Sequence, residues 1–134
     1  MRLVVDTNVL VSALLKPGSV PDRALGAIWA RGATVLYDAR IADEYRRVLG
    51  RPKFRAIERE RIEELLEAIV TRGRIPEEVP HWTGPMTDDD DRIFVEVALA
   101  GGAEAIVTGN ARHYPTDLGF EVLPPAKLLE RLSA

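Results

Sequence analysis

The chain has 134 residues, of which 46% are hydrophobic and 29% are charged, and its formal net charge is -3. With no cysteine and only two histidines, it has no disulfide, no cysteine nucleophile and little means of binding zinc through sulfur and nitrogen. A metal ion would need oxygen ligands, which suit hard cations such as Mg²⁺ or Mn²⁺. The negative net charge gives no general attraction to nucleic acid, so such a partner would need a local basic patch.

The length and the apolar runs predict a single domain that spans residues 1–134. The longest apolar runs are far shorter than the roughly 20 residues that cross a bilayer. The amino end, MRLVVDTNVL, carries an acid after only three apolar residues, so it does not resemble a signal peptide. We therefore expect no membrane or export role and a cytoplasmic protein.

Short apolar, β-branched runs alternate with segments of helical periodicity along the whole chain. We predict strands over Leu3 to Val5 and over residues 33–38, 104–109 and 119–123, with an edge strand near Ile75. We predict helices over residues 7–16, 19–32, 39–50, 57–73 and 125–132, and one that starts in the run Asp88 to Asp91 and ends at Gly101. Continuous apolar strands separated by helices are typical of an α/β fold with a parallel sheet covered on both faces.

Polar residues follow the predicted strands, where an open parallel sheet places its functional crevice. Asp6 directly follows the first strand, and it is either a site acid or the cap of the next helix, two uses that are compatible. Asn8 and Ser12 lie one turn apart on that helix, where they orient a carboxylate or simply begin a helix. Thr108 and Asn110 follow a later strand and suit hydrogen bonding to a ligand, although Gly-Asn also makes a turn readily.

Glu44 lies at the edge of the apolar stripe of its helix, whereas Asp43 points to solvent. An acid that leans over a core face is costly unless it is paired or coordinated. Two interpretations therefore remain open, namely a metal ligand and an ion pair with Arg46 or Arg47.

Four consecutive aspartates, Asp88 to Asp91, precede a helix that is apolar almost all round. Asp88 as N-cap and one or two acids in the first turn are ordinary, because helix amino ends favour anions. Four acids exceed that need. We interpret Asp88 and Asp89 as a solvated helix start, leave Asp90 open, and predict a functional role for Asp91.

Basic residues are concentrated directly after Glu44. The seven are Arg46, Arg47, Arg51, Lys53, Arg55, Arg59 and Arg61. Such a cluster could neutralise a phosphate backbone, and a solvated helical surface is the competing interpretation.

Four segments together resemble PIN-domain proteins, in particular a bacterial and archaeal group described as toxins of toxin-antitoxin pairs. They are VVDTNVLVSALL, DEYRRVLGRPKF, DDDDRIFVEVALAGGAEAIVTGN and RHYP. Each segment is weak alone, but their order and spacing are specific, and they cover nearly the whole chain. The resemblance implies a three-layer α/β/α sandwich with a central, mostly parallel sheet of four to five strands.

The resemblance also implies a ribonuclease whose acids bind Mg²⁺ or Mn²⁺. Carried over by position, the metal-binding acids are Asp6, Glu44 and Asp91, and the fourth acid of the family falls on Asn110, where this sequence departs from the pattern. The amide lowers the negative charge of the site, and it puts a second metal ion in doubt. The supporting residues are Asn8, Ser12, Asp88, Asp90 and Thr108. The predicted RNA-binding residues are Arg46, Arg47, Arg51, Lys53 and Arg55.

The predicted function is a metal-dependent endoribonuclease that cleaves single-stranded RNA, with a small antitoxin protein as partner and a homodimer as a family expectation. The alternative is a catalytically weakened RNA-binding or protein-interaction module on the same fold, which Asn110 suggests. A receiver-type phospho-acceptor domain is a further alternative from the strand-end acids. It would need a lysine near the end of a late strand, and IVTGNARHYP contains none.

Overall fold

Four parallel strands form the sheet in the computed structural model, which describes residues 1–133. They are β1 (Arg2–Val5), β2 (Thr34–Val35), β3 (Ala105–Val107) and β4 (Glu121–Leu123), in the order β2-β1-β3-β4. Leu3 of β1 lies opposite Val35 on one side and Ala105 on the other. All three side chains are almost completely buried, as expected for the central part of a sheet that is covered on both faces.

Six α-helices surround this sheet within the same residues. They are α1 (Thr7–Leu15), α2 (Val20–Ala30), α3 (Ala39–Leu49), α4 (Arg59–Arg72), α5 (Arg92–Gly101) and α6 (Pro125–Ser133). Helices α1 and α2 contact each other, and α2 contacts α6, whereas α3 contacts both α4 and α5. The predicted three-layer α/β/α arrangement with a parallel sheet is therefore confirmed.

The chain changes direction across the sheet after β2. The connection from β1 leads outward to β2 on one edge, and the later connections lead from β3 to β4 on the other edge. Strands β1 and β3 are hydrogen-bonded neighbours on either side of this reversal. A crevice is expected beyond the carboxyl ends of two such strands, because their connections diverge there.

The strands predicted over residues 33–38, 104–109 and 119–123 are all shorter in the structure, and the difference is largest at the β2 edge of the sheet. The strand predicted over residues 33–38 is regular only at Thr34–Val35, and Leu36 then makes a single parallel bridge with Arg74. The predicted edge strand near Ile75 is limited to that bridge. Pro76 has no backbone N–H to continue a ladder, so the pairing ends there.

The helix predicted to start in the aspartate run begins later. The residues Asp89–Asp91 form a separate 3₁₀ turn, and α5 begins at Arg92. The Asp88 side chain accepts a hydrogen bond from the backbone N–H of Asp90 at 3.0 Å, which caps the turn and not the α-helix. The end of α5 agrees with the prediction, because Gly102 adopts a left-handed conformation with φ of 63°.

Gly73, which follows α4, is expected to tolerate no side chain. A Cβ there would lie 2.4 Å from the carbonyl oxygen of Ile69 and 2.7 Å from that of Val35. We expect Gly73→Ala to lower the free energy of unfolding by about 2 kcal/mol, because two backbone atoms would have to move. Gly26 in α2 has open space around it, so Gly26→Ala is the matched control and should raise stability by about 0.5–1 kcal/mol. Urea denaturation measures both, and equal effects would contradict this account.

Candidate active site

An open cleft of about 450 Å³ lies beyond the carboxyl ends of β1 and β3. Most of the predicted site residues line it, namely Asp6, Asn8, Ser12, Glu44, Asp88, Asp90, Asp91 and Asn110. Thr108 is fully buried beneath them and reaches the cleft only through hydrogen bonds. Of the predicted RNA-binding residues, Arg47 and Arg51 line the cleft, whereas Arg46 lines a separate groove between α3 and α4.

Asp6 is the most firmly held acid of the cleft, with an exposed fraction of 5%. Its backbone N–H donates to the carbonyl of Val107 at 2.9 Å, which extends the pairing of β1 with β3 by one residue. Its Oδ2 accepts hydrogen bonds from the hydroxyls of Thr108 and Tyr114, each at 2.9 Å. Asp6 is also the N-cap of α1, because its side chain accepts from the backbone N–H of Asn8. The same residue therefore caps a helix and lines the cleft.

Asn8 connects the two strand ends. Its Nδ2 donates to Asp6 Oδ2 at 3.3 Å, and its Oδ1 accepts from the backbone N–H of Gly109 at 3.0 Å. The Thr108 hydroxyl accepts from the backbone N–H of Asn110 at 3.0 Å. These contacts fix the turn after β3 against the start of α1. The side chains of Asn110 and Ser12 are exposed on the walls of the cleft.

Glu44 lines the cleft and also forms the ion pair that was one interpretation of its helix position. Its side chain is only 17% exposed and lines the cleft, and its Oε1 accepts from Arg47 Nη2 at 2.8 Å. Its Oε2 accepts from the hydroxyl of Thr7 at 2.8 Å. Asp43 is 80% exposed, as predicted.

The aspartate run is divided by exposure. Asp89 is 82% exposed and pairs with Arg92 at 2.7 Å, whereas Asp91 is half-buried in the cleft. Burial, followed by repulsion from Asp6, Asp88 and other nearby acids, raises the pKa of Asp91 to about 7. Burial also raises the pKa of Asp6, and it outweighs the hydrogen bonds from Thr108 and Tyr114. Uncompensated negative charge is therefore concentrated at one corner of the cleft.

The donor set of this corner has the chemistry that a hard divalent cation requires. The side chains at this corner supply carboxylate oxygens, and burial together with repulsion from the neighbouring acids raises the pKa of Asp91. A positive charge would stabilise such a group of carboxylates. The side chains do not form a closed metal cluster, because no group of three acids or histidines within residues 1–133 is spaced to hold an ion. Glu44 is turned towards Arg47 and Thr7, so a shared cation would require its carboxylate to change rotamer.

Two tyrosines and one threonine hold the site together, although no role was assigned to them from the sequence. Tyr114 is buried and donates to Asp6. Tyr45 lies beneath the cleft and donates to the carbonyl of Val5 at 2.6 Å. Thr7 holds Glu44 across 37 positions of sequence. A buried hydroxyl needs a partner, but its identity depends on the tertiary fold.

A second polar network holds the segment that leads into the aspartate run. Glu96 is 2% exposed, and its Oε1 accepts from Arg40 Nη1 at 2.7 Å. Its Oε2 accepts from the backbone N–H of Trp82 at 2.8 Å and also contacts His81 Nδ1. Arg92 donates to the carbonyls of Trp82 and Gly84 at 2.8 and 2.7 Å. His81 thus takes part in the contact that fastens its loop to α5.

The comparisons with known proteins agree with this architecture. A family profile described as PIN domain matches residues 2–112, which include all the site residues predicted from the sequence but not Tyr114. No curated protein and no solved structure matched the chain. None of the helices described within residues 1–133 is long and apolar enough to cross a membrane. PIN domains are generally nucleases that act with divalent metal ions. The chain belongs to the PIN-domain family.

Proposed function

We propose that this protein is a Mg²⁺- or Mn²⁺-dependent endoribonuclease that cleaves phosphodiester bonds of single-stranded RNA. The observation that carries the proposal is the convergence of Asp6, Glu44 and Asp91 from three separate elements on one cleft, where burial, and then repulsion from neighbouring acids, raises the pKa of Asp91 to about 7. A structural role alone would not favour such repulsion, because unpaired buried charge is costly.

Asp6, Glu44 and Asp91 would hold the metal ion. When bound, the ion neutralises charge on the phosphate and lowers the pKa of the attacking water. Thr108 and Tyr114 fix Asp6 through its Oδ2, whereas its Oδ1 accepts a long contact of 3.5 Å from the backbone N–H of Asn8. Asn8, Ser12, Asp88, Asp90 and Asn110 would support the site through hydrogen bonds or long-range charge.

The basic residues after Glu44 would bind the phosphate backbone. Arg47 and Arg51 line the same cleft as the acids, so they can contact phosphates next to the bond that is cleaved. Arg46, Lys53 and Arg55 lie on the same stretch of chain and would extend this contact. If Glu44 held a metal ion, the guanidinium of Arg47 would be free to pair with a phosphate instead of with Glu44.

RNA cleavage by the purified protein, with and without Mn²⁺, tests the proposal. We expect cleavage only with the metal ion. Asp6→Asn should lower the cleavage rate about 100-fold or more, because the amide removes one ligand charge and presents an N–H donor where the carboxylate accepts hydrogen bonds. Asp43→Asn is the matched control, since Asp43 is exposed on the neighbouring face of α3. Equal activity in the wild type and Asp6→Asn would refute the proposal.

A second candidate is a catalytically weakened RNA-binding or protein-interaction module. Asn110, an exposed amide at the position of the fourth acid, and the Glu44–Arg47 pair favour it. Calorimetric titration with Mn²⁺ separates the two candidates, because a degraded site should bind no metal ion.

The toxin role is part of the proposal through the resemblance, together with a small antitoxin, a homodimer, a single domain and a cytoplasmic location. A neighbouring short reading frame that encodes a DNA-binding protein would support the toxin role.

A further inference from the structure

One wall of the cleft is apolar, although the proposed chemistry needs only charges. Val11 of α1, Val48 of α3 and the ring of Phe54 line it beside the acids. A charged phosphate gains no stability from contact with an apolar surface. A nucleobase does gain stability there, because stacking its flat face on an aromatic ring removes apolar surface from water.

The Phe54 ring is part of a fixed segment. Pro52–Phe54 forms a 3₁₀ turn, the Phe54 N–H donates to the Arg51 carbonyl at 2.9 Å, and the Ile57 N–H donates to the Phe54 carbonyl at 3.0 Å. Phe54 packs against a small core cluster of Leu14, Leu49, Ile57 and Ile62 and still lines the cleft. A ring that is fixed before the ligand arrives loses little conformational entropy on stacking.

Three cations that precede Phe54 in the sequence lie near its ring or line the same cleft. Lys53 Nζ lies 5.1 Å from the centre of the Phe54 ring, and Arg47 and Arg51 line the same cleft. Alternating cations and an aromatic face match the alternation of phosphate and base along a nucleic acid strand. The acids line the same cleft, so a strand bound there would place a base against Phe54 and a phosphate near Asp91.

We propose that Phe54 is a stacking platform for an unpaired base next to the phosphate that is cleaved. This inference rests on the proposed function. It requires that the base next to the cleaved phosphate is unpaired, that is, not part of an RNA duplex. Paired bases are stacked within a duplex and cannot reach the ring without being extruded. Stacking uses the face common to all bases, so the contact selects strandedness more than sequence.

The test compares Phe54→Leu with Phe54→Trp on single-stranded RNA. We expect Phe54→Leu to raise KM and the Kd for RNA about tenfold with little change in kcat, which is typical of the loss of one stacked base. Phe54→Trp should restore binding, and its fluorescence should be quenched by RNA. Phe120→Leu is the matched control, because Phe120 is 5% exposed and lies outside the cleft.

An RNA with one abasic nucleotide beside the cleaved bond separates stacking from a structural role. The wild type should lose about tenfold in affinity for this RNA, and Phe54→Leu should lose almost nothing further. Equal losses in both proteins, or wild-type affinity in Phe54→Leu, would overturn the inference. Binding is measured by fluorescence anisotropy in an Asp91→Asn background, where RNA stays intact. A wild type that does not cleave RNA would refute the proposed function, while these affinities would still decide the role of Phe54.

Discussion

Asp91→Asn is expected to abolish RNA cleavage and, at the same time, to stabilise the metal-free protein above neutral pH. The loss of activity should be about 100-fold or more, since the proposed site loses one ligand charge. The gain in stability follows from the removal of a half-buried carboxylate that Asp6, Asp88 and other acids repel. An increase in stability together with a loss of activity indicates a residue that is kept for function at a cost to the fold.

The pH dependence of this effect has a definite sign. The pKa of Asp91 is raised from 3.8 to about 7, so the folded state binds the proton more tightly than the unfolded chain does. Stability of the wild type should therefore fall as the pH rises from about 4 to about 7, with the full penalty present above about pH 7. Asp6, whose pKa is also raised, acts in the same direction. In Asp91→Asn this dependence should be weaker.

Thermal unfolding in EDTA at about pH 5.5 and about pH 8 measures the effect. Asp89→Asn is the matched control, because Asp89 belongs to the same run and is 82% exposed. Mn²⁺ should raise the Tm of the wild type more at the higher pH, where the proton no longer competes for Asp91, and it should raise the Tm of Asp91→Asn less. A wild-type Tm that rises with pH between these values, or equal responses of both variants, would contradict the expectation.

The positions of the strand-end residues could be predicted because the rule behind them is local. Asp6 and Thr108 each follow a continuous apolar run, and the carboxyl ends of parallel strands lie at one edge of a sheet. The order β2-β1-β3-β4 was not accessible in this way, since it depends on where each connection crosses. The place of Asp91 beside them came from the resemblance, because its distance in sequence from Asp6 contains no periodic signal.

The hydrogen-bond partners of the acids could not be predicted. Tyr114 reaches Asp6 across 108 positions, and Arg40 reaches Glu96 across 56. Such pairs follow from packing and leave no pattern within any one segment. Glu96, by contrast, does carry a signal in the sequence. An acid in the middle of a helix that is apolar almost all round must be buried, and a buried acid requires partners.

The network around Glu96 leads to the second large prediction. Burial alone would raise the pKa of Glu96. The hydrogen bonds from Arg40, the Trp82 N–H and His81 together lower it by more than burial raises it, so the net pKa lies below the usual 4.5. The network therefore stabilises the fold above about pH 4.5 and loses this contribution as the pH falls through the lowered pKa. This sign is opposite to that of Asp91. Stability should therefore be greatest at a pH that is high enough to ionise Glu96 and low enough to keep Asp91 protonated.

Glu96→Ala is expected to lower the free energy of unfolding by about 3 kcal/mol, since it leaves a cavity and removes the acceptor of the Trp82 N–H. Arg40 still pairs with Asp38 at 2.8 Å in this variant, so its charge is not left without a partner. The expected loss of stability therefore lies at the lower end of the range for broken buried pairs. Glu96→Gln keeps the shape and should cost less. Glu63→Gln is the matched control, because Glu63 is 66% exposed in its pair with Arg59. Urea denaturation measures all three.

The same change should reach the cleft through the loop that Glu96 fastens. Arg92 connects the carbonyls of Trp82 and Gly84 to Asp89, so loosening of Trp82 releases the turn that carries Asp91. We expect faster amide exchange over residues 82–91 in Glu96→Gln, with α1 and β1 unchanged, and a higher Mn²⁺ requirement for cleavage. Uniform exchange across the chain would show instead that Glu96 supports the whole fold and does not position the aspartate run. Local exchange with an unchanged Mn²⁺ requirement would separate the loop from the metal site.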